Sequence, residues 1–240
     1  MGRRQVVHDG GDVRSLALLG TLAAAAALAA PAAARTHLLG RSLQGRPIVA
    51  YEVGNPQGTP VLVVGCIHGN EPAGIAVARA LARRSPRDLD LWVVPVLNPD
   101  GLAAGTRGNA RGVDLNRNFP WRWRPRNGVY ASGTRPLSER EARIAHALIL
   151  RVRPRVTIWF HQHLDLVYAS GGDRRVEKVF ARASGLPYRP LPQLGGSAIS
   201  WQNNVVRGTT AFAAELPAGR PTPAAVARYV HAVFAAARAA

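Results

Sequence analysis

"VLVVGCIHGNEPAG", residues 61–74, decides the architecture of this chain. Val61 to Ile67 is a continuous apolar, largely β-branched run, the pattern of a strand buried on both faces of a parallel sheet. Such a strand has no use for His68, or for Glu71 three residues later. A metal ion uses both. Residues 73–83, "AGIAVARALAR", read as a helix with Pro72 suited to its first turn. The polar turn therefore follows the carboxyl end of a strand, which is where open α/β sheets bind their ligands.

The same alternation continues along the chain. "DLDLWVVPVLN" (88–98) reads as a second strand, in which Pro95 implies a bulge. Ser138 and Glu141 have capping-box spacing ahead of "ARIAHALIL", a helix to about Arg151. "RVTIWF" (155–160) and "TTAFAA" (209–214) are a third and a fourth strand. Thr222-Pro223 opens a last helix, with Val226, Tyr229, Val230 and Val233 on one face. Between Gly101 and Arg135 lies a long glycine- and arginine-rich stretch without apolar period; a loop of that length in a compact domain is usually functional. The pattern predicts an α/β domain with a mixed, mostly parallel central sheet and helices on both faces.

The four strands run into His68, Asn98, His161 and Glu215. Segments far apart in sequence thus deliver polar or titratable side chains to one sheet edge. Catalytic zinc takes three nitrogen or oxygen ligands and keeps a position for water. His68 and Glu71 supply two from one tight turn and His161, directly ending its strand, the third; His163, two residues on, is the rival. Glu215 ends a buried strand, where a lone carboxylate is costly unless a metal-water or an arginine compensates it. That position suits a general base. His146 falls on the polar side of its helix and reads as solvated.

Composition bounds these readings without choosing among functions. The 240 residues, 47% hydrophobic and 19% charged, suit one domain with a real core. Arg3, Arg4 and Arg14 precede an apolar run from Leu16 to Ala30, and "APAAAR" supplies small residues for cleavage after Ala34. Residues 1–34 are therefore expected to be a signal peptide, or an uncleaved N-terminal anchor, with the mature domain spanning 35–240. The expected location is extracytoplasmic or cell-wall associated. The net charge of +17, almost all arginine since Lys178 is the only lysine, favours polyanions such as an anionic cell wall. "WRWRPR" (121–126) has the aromatic–arginine interleaving of single-stranded nucleic-acid binders, but its place beside the arginine block reads as an active-site rim. No specific nucleic-acid partner is expected, and no membrane span unless the leader stays attached. The sole cysteine, Cys66, permits no internal disulfide and reads as a buried packing residue.

Taken in order, "HGNEPAG", "NPDG" (98–101), "RGNARGVDLNRNFP" (107–120), "IWFHQH" (158–163) and "FAAELP" (212–217) resemble the successive blocks of the zinc carboxypeptidase family, in its small bacterial branch that includes the murein peptide amidases. The resemblance implies a zinc-carboxypeptidase-like fold holding one Zn2+ on His68, Glu71 and His161, with Glu215 as general base. It implies that Arg107 polarises the scissile carbonyl, that Asn116 and Arg117 grip a substrate carboxylate, and that Asp114 orients the first zinc histidine. Digestive members carry a mobile tyrosine just before "GGS…W"; here "LPQLGGSAISW" (191–201) has none, and Tyr188 is the nearest. Ile199, in the stretch that shapes the family's specificity pocket, speaks against basic terminal side chains. The expected activity is hydrolysis of an amide next to a free carboxylate in a small peptide, a cell-wall (murein) peptide first. The alternatives are an N-acylamino acid deacylase of aspartoacylase-like type and a catalytically inactive wall-binding module.

Overall fold

In the run from Val61 to Val64, alternate side chains go to opposite faces of the sheet, and both faces are covered. A computed structural model describes residues 1–5, 34–169 and 171–240. The chain divides into two compact units, Met1–Ala30 and Pro31–Ala240. In the first only residues 1–5 are described, without regular structure, so the expected leader lies almost wholly outside the described residues.

Among its described residues the second unit carries eight strands: β1 (Arg35–Arg41), β2 (Pro47–Gly54), β3 (Thr59–Val64), β4 (Leu89–Val94), β5 (Val156–Gln162), β6 (Leu166–Ala169), β7 (Tyr188–Pro190) and β8 (Thr210–Leu216). They form one sheet in the order β1-β2-β4-β3-β5-β8-β6-β7. The central pairings β4–β3, β3–β5 and β5–β8 are parallel, as is β6–β7; β1–β2, β2–β4 and β8–β6 are antiparallel. The sheet is thus mixed and mostly parallel at its centre, as the alternation predicts. Among the described residues six α-helices accompany it: α1 (Ala73–Leu81), α2 (Pro99–Ala104), α3 (Arg140–Val152), α4 (Arg174–Ser184), α5 (Ala198–Val205) and α6 (Pro223–Arg238).

Val61, Val63, Ile158, Phe160 and Phe212 pack with the buried faces of α1, α4 and α6. Leu62, Val64, Trp159 and Ala213 pack on the other side with α3, α5, Leu115 and Phe119. Two apolar layers on one sheet account for strands with no polar face. Close approach is bought with glycine at two points. A Cβ on Gly74 would overlap Gly65 and Phe160, so α1 lies directly on the sheet. A Cβ on Gly69 would overlap the backbone of Gly101, so the His68–Glu71 turn is pressed against the start of α2.

Three local expectations change. β4 ends at Val94, so Pro95 lies beyond the ladder and makes no bulge. The Ser138–Glu141 capping box does not form: α3 begins after Glu139, and Ser138 Oγ donates to Glu139 Oε1 at 2.7 Å. Glu141 is fully buried instead, accepting from Asn109 Nδ2 at 3.1 Å, and Glu139 Oε2 accepts from the same amide at 2.8 Å. Tertiary packing of the long loop takes both carboxylates. His146 is not simply solvated, because its ring lies 4.4 Å from that of Trp201 and burial lowers its pKa.

Candidate metal centre

β3 and β5 are adjacent and parallel, so the turn after β3 and the end of β5 meet. There His68, Glu71 and His161 come together, 1%, 6% and 4% exposed, and they are the one such group of potential metal ligands among the described residues. His161 Nδ1 lies 3.2 Å from His68 Nδ1 and 2.8 Å from Glu71 Oε2, and His68 Nδ1 lies 2.9 Å from the same oxygen. A tetrahedral zinc with bonds of about 2.0–2.1 Å would separate its ligand atoms by about 3.3 Å, close to this triangle. His163 is exposed and stands outside the group, although it lines the adjoining cavity.

Proton placement argues for a cation as well. His68 Nε2 lies 2.9 Å from Asp114 Oδ1, and in neutral His68 that bond fixes the proton on Nε2. Nδ1 is then a lone pair facing the Glu71 carboxylate, and two buried acceptors at 2.9 Å fit a metal ion between them. Burial alone would raise Glu71, but when His68 and His161 both carry a proton on Nδ1 their hydrogen bonds outweigh it and hold the carboxyl well below its ordinary range. Burial likewise opposes ionisation of Asp114, yet the His68 bond and the charges of Arg107 and Arg117 bring its pKa down to about 2. Both carboxylates are therefore anionic at neutral pH, as metal support requires.

Asp114 also receives Arg107 Nε at 3.0 Å and the backbone N–H of Asn116 at 2.9 Å. Arg107 Nη1 donates to Glu71 Oε1 at 2.8 Å, so this guanidinium is clamped between two carboxylates at the metal site. The loop from Asp114 to Phe119 is seated by Leu115 and Phe119, both fully buried, with Phe119 6.4 Å from Trp159 and 5.5 Å from Trp201 between ring centres. Of the residues between them, Asn116 and Arg117 line the cavity. Asn116 Oδ1 accepts from Ala198 N at 3.0 Å, and Arg117 Nη1 donates to the Asn116 carbonyl at 2.6 Å. Arg117 is 92% buried, and that burial lowers its pKa.

Glu215 pairs in register with His161 across β5 and β8, which brings it to the same cavity of about 500 Å³. Its Oε2 is buried and has no hydrogen-bond partner among the described residues. Cys66 stays apart from the chemistry: burial, then the charge of Glu71, pushes its thiol up to about 12, far from a nucleophilic thiolate.

Tyr188 is not at the site. Its hydroxyl donates to Glu177 Oε2 at 2.9 Å, and it does not line the cavity. Tyr130 and Tyr168 do line it, and neither was marked by any spacing in the sequence. Ile199 is in the wall, together with Leu164, Leu194 and Ala213. The 121–126 segment is a support rather than a rim. Arg122 stacks on Trp121 at 4.6 Å, Trp123 Nε1 donates to Ser132 O at 3.1 Å, and Trp121 O accepts from Gly196 N at 2.8 Å.

Against known proteins, a family model described as zinc carboxypeptidase matches residues 21–176. Murein peptide amidase A of Escherichia coli K12 is 34% identical over 147 residues, which cover 55% of this chain and 61% of that protein. The Vibrio campbellii murein peptide amidase A is 31% identical over 143 residues, covering 53% and 58%. These matches span about three fifths of the curated relatives' own length. The crystal structure of murein-tripeptide amidase MpaA from Escherichia coli O157 superposes with a TM-score of 0.67 at 28% identity, covering 85% of this chain and 90% of that one. The carboxypeptidase A structure from Helicoverpa armigera gives a TM-score of 0.74 at 19% identity, covering 86% and 68%.

Proposed function

Because the chain belongs to the zinc carboxypeptidase family, we propose that it hydrolyses an amide bond next to a free carboxylate in a small peptide, and that the peptide comes from murein. The orphaned Glu215 Oε2, buried beside the His68–Glu71–His161 triangle, is the observation that carries this reading. A buried carboxylate oxygen without a partner is costly, and a proton-accepting role at that atom explains its retention.

A zinc ion held by His68, Glu71 and His161 would supply Lewis acidity, lowering the pKa of a water and polarising an amide carbonyl. Glu215 accepts the proton of the attacking water at Oε2 and returns it to the departing amine nitrogen. Arg107 is fixed through Nε and Nη1 by Asp114 and Glu71, which leaves Nη2 to meet the carbonyl oxygen as negative charge develops on it. Arg117 presents a planar donor fork to the substrate carboxylate, beside Asn116. The apolar wall of Ile199, Leu194 and Ala213 offers no carboxylate to a basic terminal side chain.

The murein assignment is supported by the names of the relatives and by the small fold shared with the murein-tripeptide amidase. An intact donor set and an orphaned base argue against an inactive wall-binding module. The sequence pattern of residues 1–34 supports export to the cell envelope, where such peptides occur. Replacing Glu215 by Gln keeps the shape and removes proton acceptance. Turnover of the murein tripeptide is then expected to fall at least about a hundredfold with zinc content unchanged; near-normal turnover in the zinc-loaded variant refutes the role.

A further inference from the structure

The stretch before "GGS…W" holds no tyrosine, yet the cavity has two. Tyr168 is committed, its hydroxyl donating to the Pro192 carbonyl. Tyr130 is not: it is 48% exposed, and its hydroxyl makes no hydrogen bond among the described residues. Its ring lies 5.3 Å from the Cζ of Arg107 and 5.4 Å from the Cζ of Arg117. One ring therefore serves both guanidiniums of the site, although 23 and 13 residues separate it from them in the sequence.

The segment that carries this ring is tied down at the same hub as the metal ligands. Tyr130 ends the 3-10 turn Gly128–Tyr130, closed by Ala131 N donating to Gly128 O at 3.0 Å. The Ala131 carbonyl accepts from Asp114 N at 2.8 Å, and Asp114 is the residue that holds His68 and Arg107. Gly128 has φ +66°, which suits glycine, so the turn is built to this geometry.

Stacking uses the face of a guanidinium and leaves its N–H edge free for a carboxylate or a carbonyl. Two like charges close together repel, and the Arg107 charge, after burial, contributes to lowering the Arg117 pKa. A shared electron-rich ring offsets that repulsion and fixes the distance between the two donors. Resting on the function proposed above, we propose that Tyr130 is a positioning residue: its ring holds Arg107 and Arg117 at the spacing that lets the substrate's terminal carboxylate and scissile carbonyl be gripped together. The ring acts, and the hydroxyl does not.

The test uses the zinc-loaded full chain with Tyr130→Phe and Tyr130→Leu. On the murein tripeptide, Leu is expected to lower kcat/KM about tenfold, mainly through KM, while Phe stays within about twofold of the parent. On an Arg117→Ala background the Leu change costs distinctly less than in the parent, because one of the two contacts it supports is already gone and there is no spacing left to fix. A Leu variant as active as the parent, a Phe variant as poor as Leu, or full multiplicativity with Arg117→Ala would each overturn the proposal. A second readout needs no turnover. In protein labelled with 15N-arginine, the Nε–H signals of Arg107 and Arg117 shift together in Tyr130→Leu and hold in Tyr130→Phe. Signals unmoved by Leu overturn the proposal too. A parent that cuts no peptide while these signals behave as stated would sink the proposed function and leave the Tyr130 stack standing.

Discussion

Replacing Asp114 by Asn probes the electrostatic hub of the site with the smallest possible change of shape. Asp114 is fully buried and accepts three hydrogen bonds, from His68 Nε2 at 2.9 Å, Arg107 Nε at 3.0 Å and Asn116 N at 2.9 Å. Asparagine keeps one oxygen and turns the other into an NH2, so either His68 or Arg107 meets a donor where it had an acceptor. The negative charge that raises the basicity of His68 is lost in either orientation. Loss of such a supporting carboxylate weakens metal binding about 10–100-fold, or about 1.4–2.8 kcal/mol. The assay is competition for zinc with a chromophoric chelator, with circular dichroism to establish that the variant is folded. Asp88→Asn, at an exposed carboxylate paired with Arg238 at 2.7 Å, is the control and is expected to leave zinc affinity unchanged. A folded Asp114→Asn protein that binds zinc as tightly as the parent refutes the reasoning, because His68 would then need no orienting partner.

The ligand assignment separates two histidines two residues apart: His161→Ala is expected to lose zinc while His163→Ala largely keeps it, as metal analysis of dialysed protein will report. Reversed results would move the third ligand to His163. Asp100 ties the β1–β2 turn to α2, accepting from Ser42 Oγ at 2.7 Å, Gln44 N at 3.0 Å and Arg46 Nη1 at 2.7 Å. Burial opposes ionisation, but these bonds win and its pKa is lowered. A lowered folded-state pKa contributes stability above the unfolded value near 4, and that stability is lost as pH falls through the folded value. Asp100→Ala is therefore expected to cost about 3 kcal/mol at pH 7 and distinctly less near pH 3, measured by denaturant unfolding. An equal cost at both pH values contradicts the ionised-carboxylate account.

The central strands were legible because both of their faces are buried. β3, β5 and β8 read as unbroken apolar runs, and their polar ends stand out against them. β1 and β2 were not legible, since Arg35, His37 and Glu52 interrupt the pattern at a half-exposed edge where His37 and Glu52 bond at 2.7 Å. β6 and β7, of four and three residues, are too short to show a period. His68, Glu71, His161 and Glu215 could be picked out because each follows or ends a strand. Arg107, Asp114, Asn116 and Arg117 lie in a loop whose hydrogen bonds, not any period, place them, and only the family resemblance marked them. Tyr130 escaped both routes. Its place depends on a turn pinned to Asp114, a contact between backbone atoms that side-chain identity does not announce.

The central claim is that zinc and Glu215 cut an amide beside a carboxylate held by Arg117. The most direct measurement is digestion of the murein tripeptide and of its terminal amide by zinc-loaded protein, parent and Arg117→Ala, with products identified by mass spectrometry. The account predicts that the parent cleaves the free acid at one bond with uptake of one water, and that a chelator stops it. Amidation and Arg117→Ala should each lower kcat/KM roughly a hundredfold, the order expected when one partner of a buried charged contact is removed. Their combination should cost little more than either alone, because both break the same contact. An amide cut as well as the acid, or losses that multiply in full, would contradict the account and leave an endo-acting amidase in its place.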